Sequence, residues 1–238
     1  MTTSAADITN HRAQGPWRTL ERRAHLLVES ARAQGGASFS PKLGGGTRLM
    51  LAFGHRLSDD IDLFVDSPGW LPYVSPRLND VLDSSITAYT EDNAHVKLMF
   101  AEGEIDFIVA APLLDGADWN PAATETAFEL ESPAEILAKK LFFRGWALTA
   151  RDLFDWYVVE HQAPASAIPH KAMAHLLASK FSAIETALTA IVERTTQRLS
   201  WQQIRTPLSL DIEEVANWAT GRMAFYRSLV TTSDRTSR

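Results

Sequence analysis

Three groups of residues in this chain have the types and spacing to do chemistry. The first is the run Gly44-Gly45-Gly46-Thr47. Consecutive glycines reach backbone conformations closed to other residues, so their N–H groups can close around an anion such as a phosphate. The second is the step Asp60-Ile61-Asp62, inside an apolar run that continues through Leu63-Phe64. Alternate side chains of a strand share a face, which points Asp60 and Asp62 one way and Ile61 and Leu63 into a core. Two adjacent carboxylates repel, and a divalent cation between them relieves the repulsion. A phosphate cradle beside such a pair is the minimum equipment for metal-assisted phosphoryl or nucleotidyl transfer. Alone, each feature reads more simply as a flexible turn or a solvated cap. Together, joined by one helix-sized segment from Thr47 to Phe53, they favour a site. The third group is basic and then acidic: Lys140 and Arg144, four apart on one helix face and readable as a solvated basic face or as phosphate contacts, followed by Asp152 and Asp155.

The elements that must position these residues follow from local signals. Phe39 to Leu43 reads as a strand leading into the glycines, Thr47 to Phe53 as a helix, and Asp60 to Val65 as a second strand. A helix N-terminus gathers free N–H groups and partial positive charge, which suits a triphosphate. Ser85 to Thr90, Ala94 to Phe100 and Glu104 to Ala110 read as three further strands, with Ala101-Glu102-Gly103 as a hairpin turn. Asp106 stands within the last of them, where a charge is costly unless paired or metal-bound. It reads as a third carboxylate of the site or as an edge-strand residue facing water. Ser132-Pro133-Ala134-Glu135 is a helix start, with Ser as N-cap and Pro at the first helical position. Thr149 with Asp152 three residues later is a capping-box variant, which by itself accounts for Asp152. Arg151 and Asp155 have the spacing of a surface pair.

Upstream, residues 1 to 15 are polar and read as frayed. From Trp17 to Ala33, Leu20, Ala24, Leu27 and Val28 recur at helical spacing. Downstream, one apolar stripe runs from about Lys171 to Thr195, another helix starts at Asp211, and a polar tail begins at Thr231. The expected organisation is an N-terminal helix over 1–35, an α/β core over 36–130 and a helical C-terminal domain over 131–238.

Composition narrows the function. The 238 residues suffice for one large domain or two small ones. With no cysteine, disulfides, thiolate zinc sites and cysteine nucleophiles are excluded. The net charge of −6 argues against an extended nucleic-acid footprint while allowing a local patch for one end of an RNA. No apolar run has membrane-spanning length and the first residues are polar, so a cytoplasmic, membrane-free protein is expected. No two of the seven histidines have the spacing of a helical zinc site.

Gly45-Gly46-Thr47 followed by Arg56-Leu57-Ser58-Asp59-Asp60-Ile61-Asp62-Leu63 resembles the opening of the DNA polymerase beta-like nucleotidyltransferases. A second block, Glu135-Ile136-Leu137-Ala138-Lys139-Lys140-Leu141 with Arg144 and Arg151-Asp152-Leu153-Phe154-Asp155, narrows the resemblance to the AbiEii/AbiGii-type toxin branch. The chain departs from that pattern in the apolar insert Gly145-Trp146-Ala147-Leu148 and in Phe154, where the family often has tyrosine. The resemblance implies an α/β (α+β) fold, a nucleotidyltransferase-like mixed sheet with flanking helices and a largely helical C-terminal part. It implies a nucleoside triphosphate on Gly45, Gly46, Thr47, Arg56 and Ser58, with Lys140 and Arg144 offsetting phosphate charge. It implies Mg²⁺ on Asp60 and Asp62, joined by Asp106, and makes Asp152 an active-site carboxylate beside Lys140. The implied biology is the toxin of a type IV toxin–antitoxin pair, a single chain with an antitoxin partner, whose acceptor is the 3′ end of tRNA. Transfer to a small molecule or protein is the alternative among enzymes. A nucleotide- or partner-binding scaffold without turnover is the alternative outside them.

Overall fold

Glycine run and carboxylates meet on a six-stranded mixed sheet in the computed structural model, which describes residues 3–121 and 125–236. Its strands are β1 (Lys42–Leu43), β2 (Ile61–Val65), β3 (Ala88–Glu91), β4 (His95–Phe100), β5 (Gly103–Val109) and β6 (Glu129–Leu130), in the order β3-β4-β5-β2-β1-β6. The pairs β2–β5 and β1–β6 are parallel and the others antiparallel. This is the mixed α/β architecture expected from the sequence.

Alternation along the strands decides what each face carries. Ile61, Leu63 and Val65 on β2, Val96 and Leu98 on β4, and Ile105 and Phe107 on β5 enter the core. Against them packs α2 (Trp17–Gly35) through Trp17, Leu20, Ala24, Leu27, Val28 and Ala31. The intervening residues Asp62, Lys97 and Asp106 are left on the other face. The helix after the glycines, α3, begins earlier than its apolar residues suggest and spans Gly45–Phe53. Between Trp70 and Leu82 the α-helical structure is a single turn, α4 (Leu71–Val74).

Residues 3–15, expected to be frayed, are ordered. They form α1 (Ala5–Gln14), started by a reciprocal capping box between Ser4 and Asp7. Its Ile8 is buried.

The chain divides into two compact units. One holds Thr3–Pro112 with Asn120–Glu131, and the other holds Leu113–Trp119 with everything from Ser132 onward. The second unit contains α5 (Pro133–Arg144), α6 (Ala150–Gln162), α7 (His170–Leu177), α8 (Phe181–Glu193), α9 (Thr195–Gln202) and α10 (Ile212–Thr236). Ser132 caps α5 as its sequence announces, accepting from the Glu135 N–H at 3.2 Å. The Glu135 side chain turns instead to the N–H groups of Leu113 and Leu114, at 2.8 and 3.0 Å. The stripe expected as one long helix is two, with a tightened turn at Ala178–Lys180 between them. Met173, Leu177, Phe181, Ile184, Leu188 and Ile191 are all buried, so the apolar period passes through that turn unbroken. The tail expected from Thr231 is helical as far as Thr236, and its last two residues lie outside the described ones. Among the described residues no helix is long and apolar enough to cross a membrane.

The face assignment of α2 is testable by truncation. Leu20→Ala, at a fully buried position, should cost about 2–5 kcal/mol in denaturant titration. Leu26→Ala, 51 % exposed on the same helix, should stay within about 0.5 kcal/mol. Equal losses would overturn the packing face.

Candidate functional site

The cradle is stitched to the strand that follows it. The N–H of Gly44 donates to the Asp62 carbonyl at 2.9 Å. Gly45 sits at φ +62°, and a Cβ there would lie 1.6 Å from Asp62 Oδ2. Both conditions demand glycine, one for conformation and one for space. A Cβ on Gly46 would meet Arg56 Nη2 at 2.5 Å and Ser58 Oγ at 2.8 Å. Bare backbone at the start of α3 is thus surrounded by Asp62, Arg56 and Ser58, and the first N–H groups of a helix have no partner within it. Thr47 is fully buried and its hydroxyl donates to the Asp60 carbonyl at 2.5 Å. That hydroxyl fixes the carboxylate segment, so the contribution left to Thr47 at the cradle is its backbone.

The carboxylates form a row set by strand register. Asp62 on β2 is paired with Asp106 on β5, and Asp106 with Lys97 on β4. Since β5 is an interior strand, the edge-strand reading of Asp106 falls. Asp60 lies one residue before β2, and its Oδ1 accepts from the Glu104 N–H at 3.1 Å. A Cβ on Gly103, at φ +146°, would stand 3.0 Å from the same oxygen. Burial pushes the Asp60 carboxyl above its usual range, with the Asp62 charge adding and the Glu104 N–H opposing. Burial likewise pushes Asp106 up, against the pull of Lys97 and with the push of Asp62. Lys97 Nζ lies 2.8 Å from Glu104 and 3.5 Å from Asp106 Oδ2. Asp106 Oδ1 is buried with no hydrogen-bond partner.

Among the described residues no three carboxylate or imidazole groups are already drawn into a cage for a metal ion. The donor chemistry nevertheless fits one. Carboxylate oxygens suit a hard divalent cation. An orphaned buried oxygen and two carboxyls raised partly by a shared neighbour are what such a cation would relieve.

On the helical unit, Lys140, Asp152 and Asp155 of the second motif form a buried network that the exposed Arg144 joins. Lys140 Nζ lies 2.7 Å from Asp152 Oδ1 and 3.1 Å from Asp155 Oδ2. Arg144 also donates to Asp152 Oδ1. Asp152 Oδ2 accepts from the Thr149 N–H at 3.2 Å and hydroxyl at 2.8 Å. Asp152 thus closes the capping box and pairs with Lys140 and Arg144 at once. Burial would raise the Asp152 carboxyl, but the charges of Lys140 and Arg144 outweigh it and hold it below the ordinary range. Asp155 is fully buried beside Lys140, while Arg151 is exposed, so the expected Arg151–Asp155 surface pair is replaced. Lys139 points to Glu135 at 3.7 Å, away from its neighbour's partners.

Two residues beside the cradle and row gave no sequence signal. Lys97 acquires its role only from strand register. Arg48, in the first turn of α3, is fully buried, with Nε donating to the Glu131 carbonyl at 3.1 Å and Nη2 to the Asn120 side chain. Burial lowers its pKa to about 10. It anchors the cradle helix to the segment leading out of β6.

Two outcomes follow. Gly45→Ala should displace Asp62 and destabilise the chain by about 1–3 kcal/mol from backbone strain, read in a denaturant titration. A variant as stable as the parent would contradict the close approach. Asp152→Asn should cost about 3–5 kcal/mol near neutral pH, because buried Lys140 loses a partner that it shares with the exposed Arg144. A carboxyl depressed in the folded state stabilises above its unfolded value and loses that contribution as pH falls through the folded one. The gap between parent and variant should therefore shrink below about pH 4. A gap independent of pH would remove the ion pair as its cause.

A family model, the nucleotidyl transferase AbiEii toxin of type IV toxin–antitoxin systems, matches residues 26–221. No curated protein matches. Among solved structures, MenT4, a nucleotidyltransferase toxin from Mycobacterium tuberculosis H37Rv, is similar at 17% identity and a TM-score of 0.49, over 94% of this chain and 89% of that one. A STING-associated CdnE c-di-GMP synthase from Capnocytophaga granulosa is similar at 12% identity and a TM-score of 0.31, over 95% of this chain and 86% of that one. Likenesses this distant carry no argument about activity, whereas the family match spans most of the chain. With the glycine run, the Asp60-Ile61-Asp62 step and the Lys140–Asp152 block all inside the matched residues, the chain belongs to the AbiEii nucleotidyltransferase toxin family.

Proposed function

We propose that this nucleotidyltransferase moves a nucleoside monophosphate from a triphosphate to the 3′ end of a tRNA, with Mg²⁺ held by Asp60, Asp62 and Asp106. The observation that carries this reading is the row in which Asp62, pressed against the bare backbone of Gly45, stands in register with Asp106. Backbone N–H groups of Gly45, Gly46 and Thr47, with Arg56 and Ser58, hold the phosphates. When bound, the metal supplies Lewis-acid polarisation of phosphoryl oxygens. The acceptor oxygen forms a bond to the α-phosphorus, the bond to the bridging oxygen breaks, and pyrophosphate leaves with the electron pair. The Asp106 carboxylate oxygen left free of the metal takes the proton of the acceptor hydroxyl. Lys140 and Arg144 offset phosphate charge, and Asp152 and Asp155 orient Lys140. In this scheme the core of 36–130 carries the chemistry and the helices of 131–238 carry cations and acceptor contacts.

An RNA end as acceptor is supported by the helical unit. Trp146 is 70 % exposed and Phe143 52 % exposed, on either side of Arg144. Aromatic faces beside guanidinium groups stack unpaired bases. The acidic chain as a whole fits contact with an end better than with a long duplex. Triphosphate and tRNA coexist in the cytoplasm, where a single chain would meet both and its antitoxin.

Purified protein with Mg²⁺, each labelled triphosphate and total bacterial RNA tests the reading. Label should enter tRNA, and Asp62→Asn should abolish transfer with its fold intact. Trp146→Ser should raise KM for RNA about tenfold, the loss expected for one stacked base. Label appearing in protein or a small molecule would overturn the acceptor, and full activity in Asp62→Asn would overturn the chemistry. Expression of the parent should arrest growth, and Asp62→Asn should not.

A further inference from the structure

Helix α1 lies outside the residues matched by the family model, yet its contacts converge on the connection between cradle and carboxylates. Three of its side chains take part. Ile8 Cγ2 lies 3.4 Å from where a Cβ of Gly54 would stand, beneath the turn that ends α3. Arg12 Nη2 donates to the Leu51 carbonyl at 2.5 Å, in the last turn of α3, where carbonyls lack helical partners. His11 Nε2 stands 3.2 Å from the Ser58 carbonyl and 2.8 Å from Asp59 Oδ1, immediately before Asp60. The His11 carbonyl in turn accepts from Trp17 Nε1 at 2.8 Å, and Trp17 is a core residue of α2. A strap thus runs from the core, through α1, to the Ser58–Asp59 step.

The geometry has a mechanical meaning. The segment from Gly54 to Asp60 has no regular structure of its own and must still aim Asp60. Thr47 holds it by the Asp60 carbonyl from one side, and Glu104 holds the Asp60 carboxylate from another. His11 ties the preceding two residues to α1, beside the contact of the Ser58 N–H with Met50 Sδ at 3.3 Å. Its side chain is 12 % exposed, so the contact is largely shielded from water.

We propose that α1 is a positioning strap of the transfer site, with His11 as the residue that fixes the Ser58–Asp59 step and so the aim of Asp60. The kinetic part rests on the nucleotidyl-transfer reading above, while the positional part does not. His11→Leu removes the ring nitrogen. His11→Gln keeps an N–H at nearly the same reach, and His11→Asn is too short to reach. In hydrogen exchange of the whole chain, His11→Leu should speed exchange of the amides at residues 57–60 by about tenfold, leaving α2 and α6 unchanged. His11→Gln should restore the protection. In RNA labelling, His11→Leu should lower kcat about 10–100-fold, the scale of a small misplacement, with KM for the triphosphate within about twofold. His11→Gln should recover most of that loss. Should His11→Leu fail to fold, His11→Asn against His11→Gln makes the same comparison.

Unchanged exchange at residues 57–60 overturns the strap whatever the enzyme does. Altered exchange with parental kcat, in an assay where Asp62→Asn is dead, overturns its role in the reaction. A parent that transfers nothing to any acceptor sinks the underlying activity reading and the kinetic role with it, leaving exchange to decide the strap alone.

Discussion

Much of the first unit depends on one near-collision: the carboxylate of Asp62 occupies the space that a side chain on Gly45 would need. A left-handed backbone at Gly45 lets the chain turn into α3 while lying flat against β2. Every other contact of the cradle assumes this approach. The Gly44 N–H can reach the Asp62 carbonyl, and the Thr47 hydroxyl the Asp60 carbonyl, only because the helix start sits on the strand. The bare backbone of the cradle and the acidic side chains beside it are thereby one rigid object. Preorganisation of this kind is where phosphoryl-transfer proteins find most of their rate, since there is little covalent work for the protein to do.

The sheet supplies the second constraint. Its apolar face is committed to α2, which leaves the opposite face to collect polar residues in register. Asp62, Asp106 and Lys97 sit side by side for that reason. Negative charge dominates the row when Asp60 is counted, and the raised carboxyls are the electrostatic trace of it. The helical unit shows the opposite economy. There Lys140 and Arg144 are balanced by Asp152 and Asp155, and no shift away from charge results for Asp152. Burial alone does not distinguish the two clusters; the balance of sign does.

What the sequence revealed depended on distance along the chain. The glycine run, the alternation through Asp60 to Val65, and the caps at Ser132 and Thr149 are local, and local stereochemistry is readable. Lys97 was invisible because its meaning comes from a register that no local pattern encodes. Arg48 looks like an ordinary helix residue until Asn120 and Glu131 are brought to it. Over residues 3–15 polarity hides a helix, although Ser4 and Asp7 carry the same box spacing as Thr149 and Asp152. The stripe from Met173 to Ile191 misled in the other direction, because its period survives the turn that divides the helix.

The parallel pairing of β2 with β5 has a consequence in time as well as in space. Asp60 meets the backbone N–H of Glu104 across a separation of 44 residues, and the chain between them must complete a crossover before the two strands can lie together. Closing so long a loop is an entropic cost that local contacts cannot offset, and pairings of this kind form late. A ribosome that has just finished Asp62 has therefore made both signature carboxylates without making a place for them. Until Val109 has emerged and β5 has docked, the nascent chain lacks the row in which Asp62 faces Asp106, so making the carboxylates and assembling them are separate events.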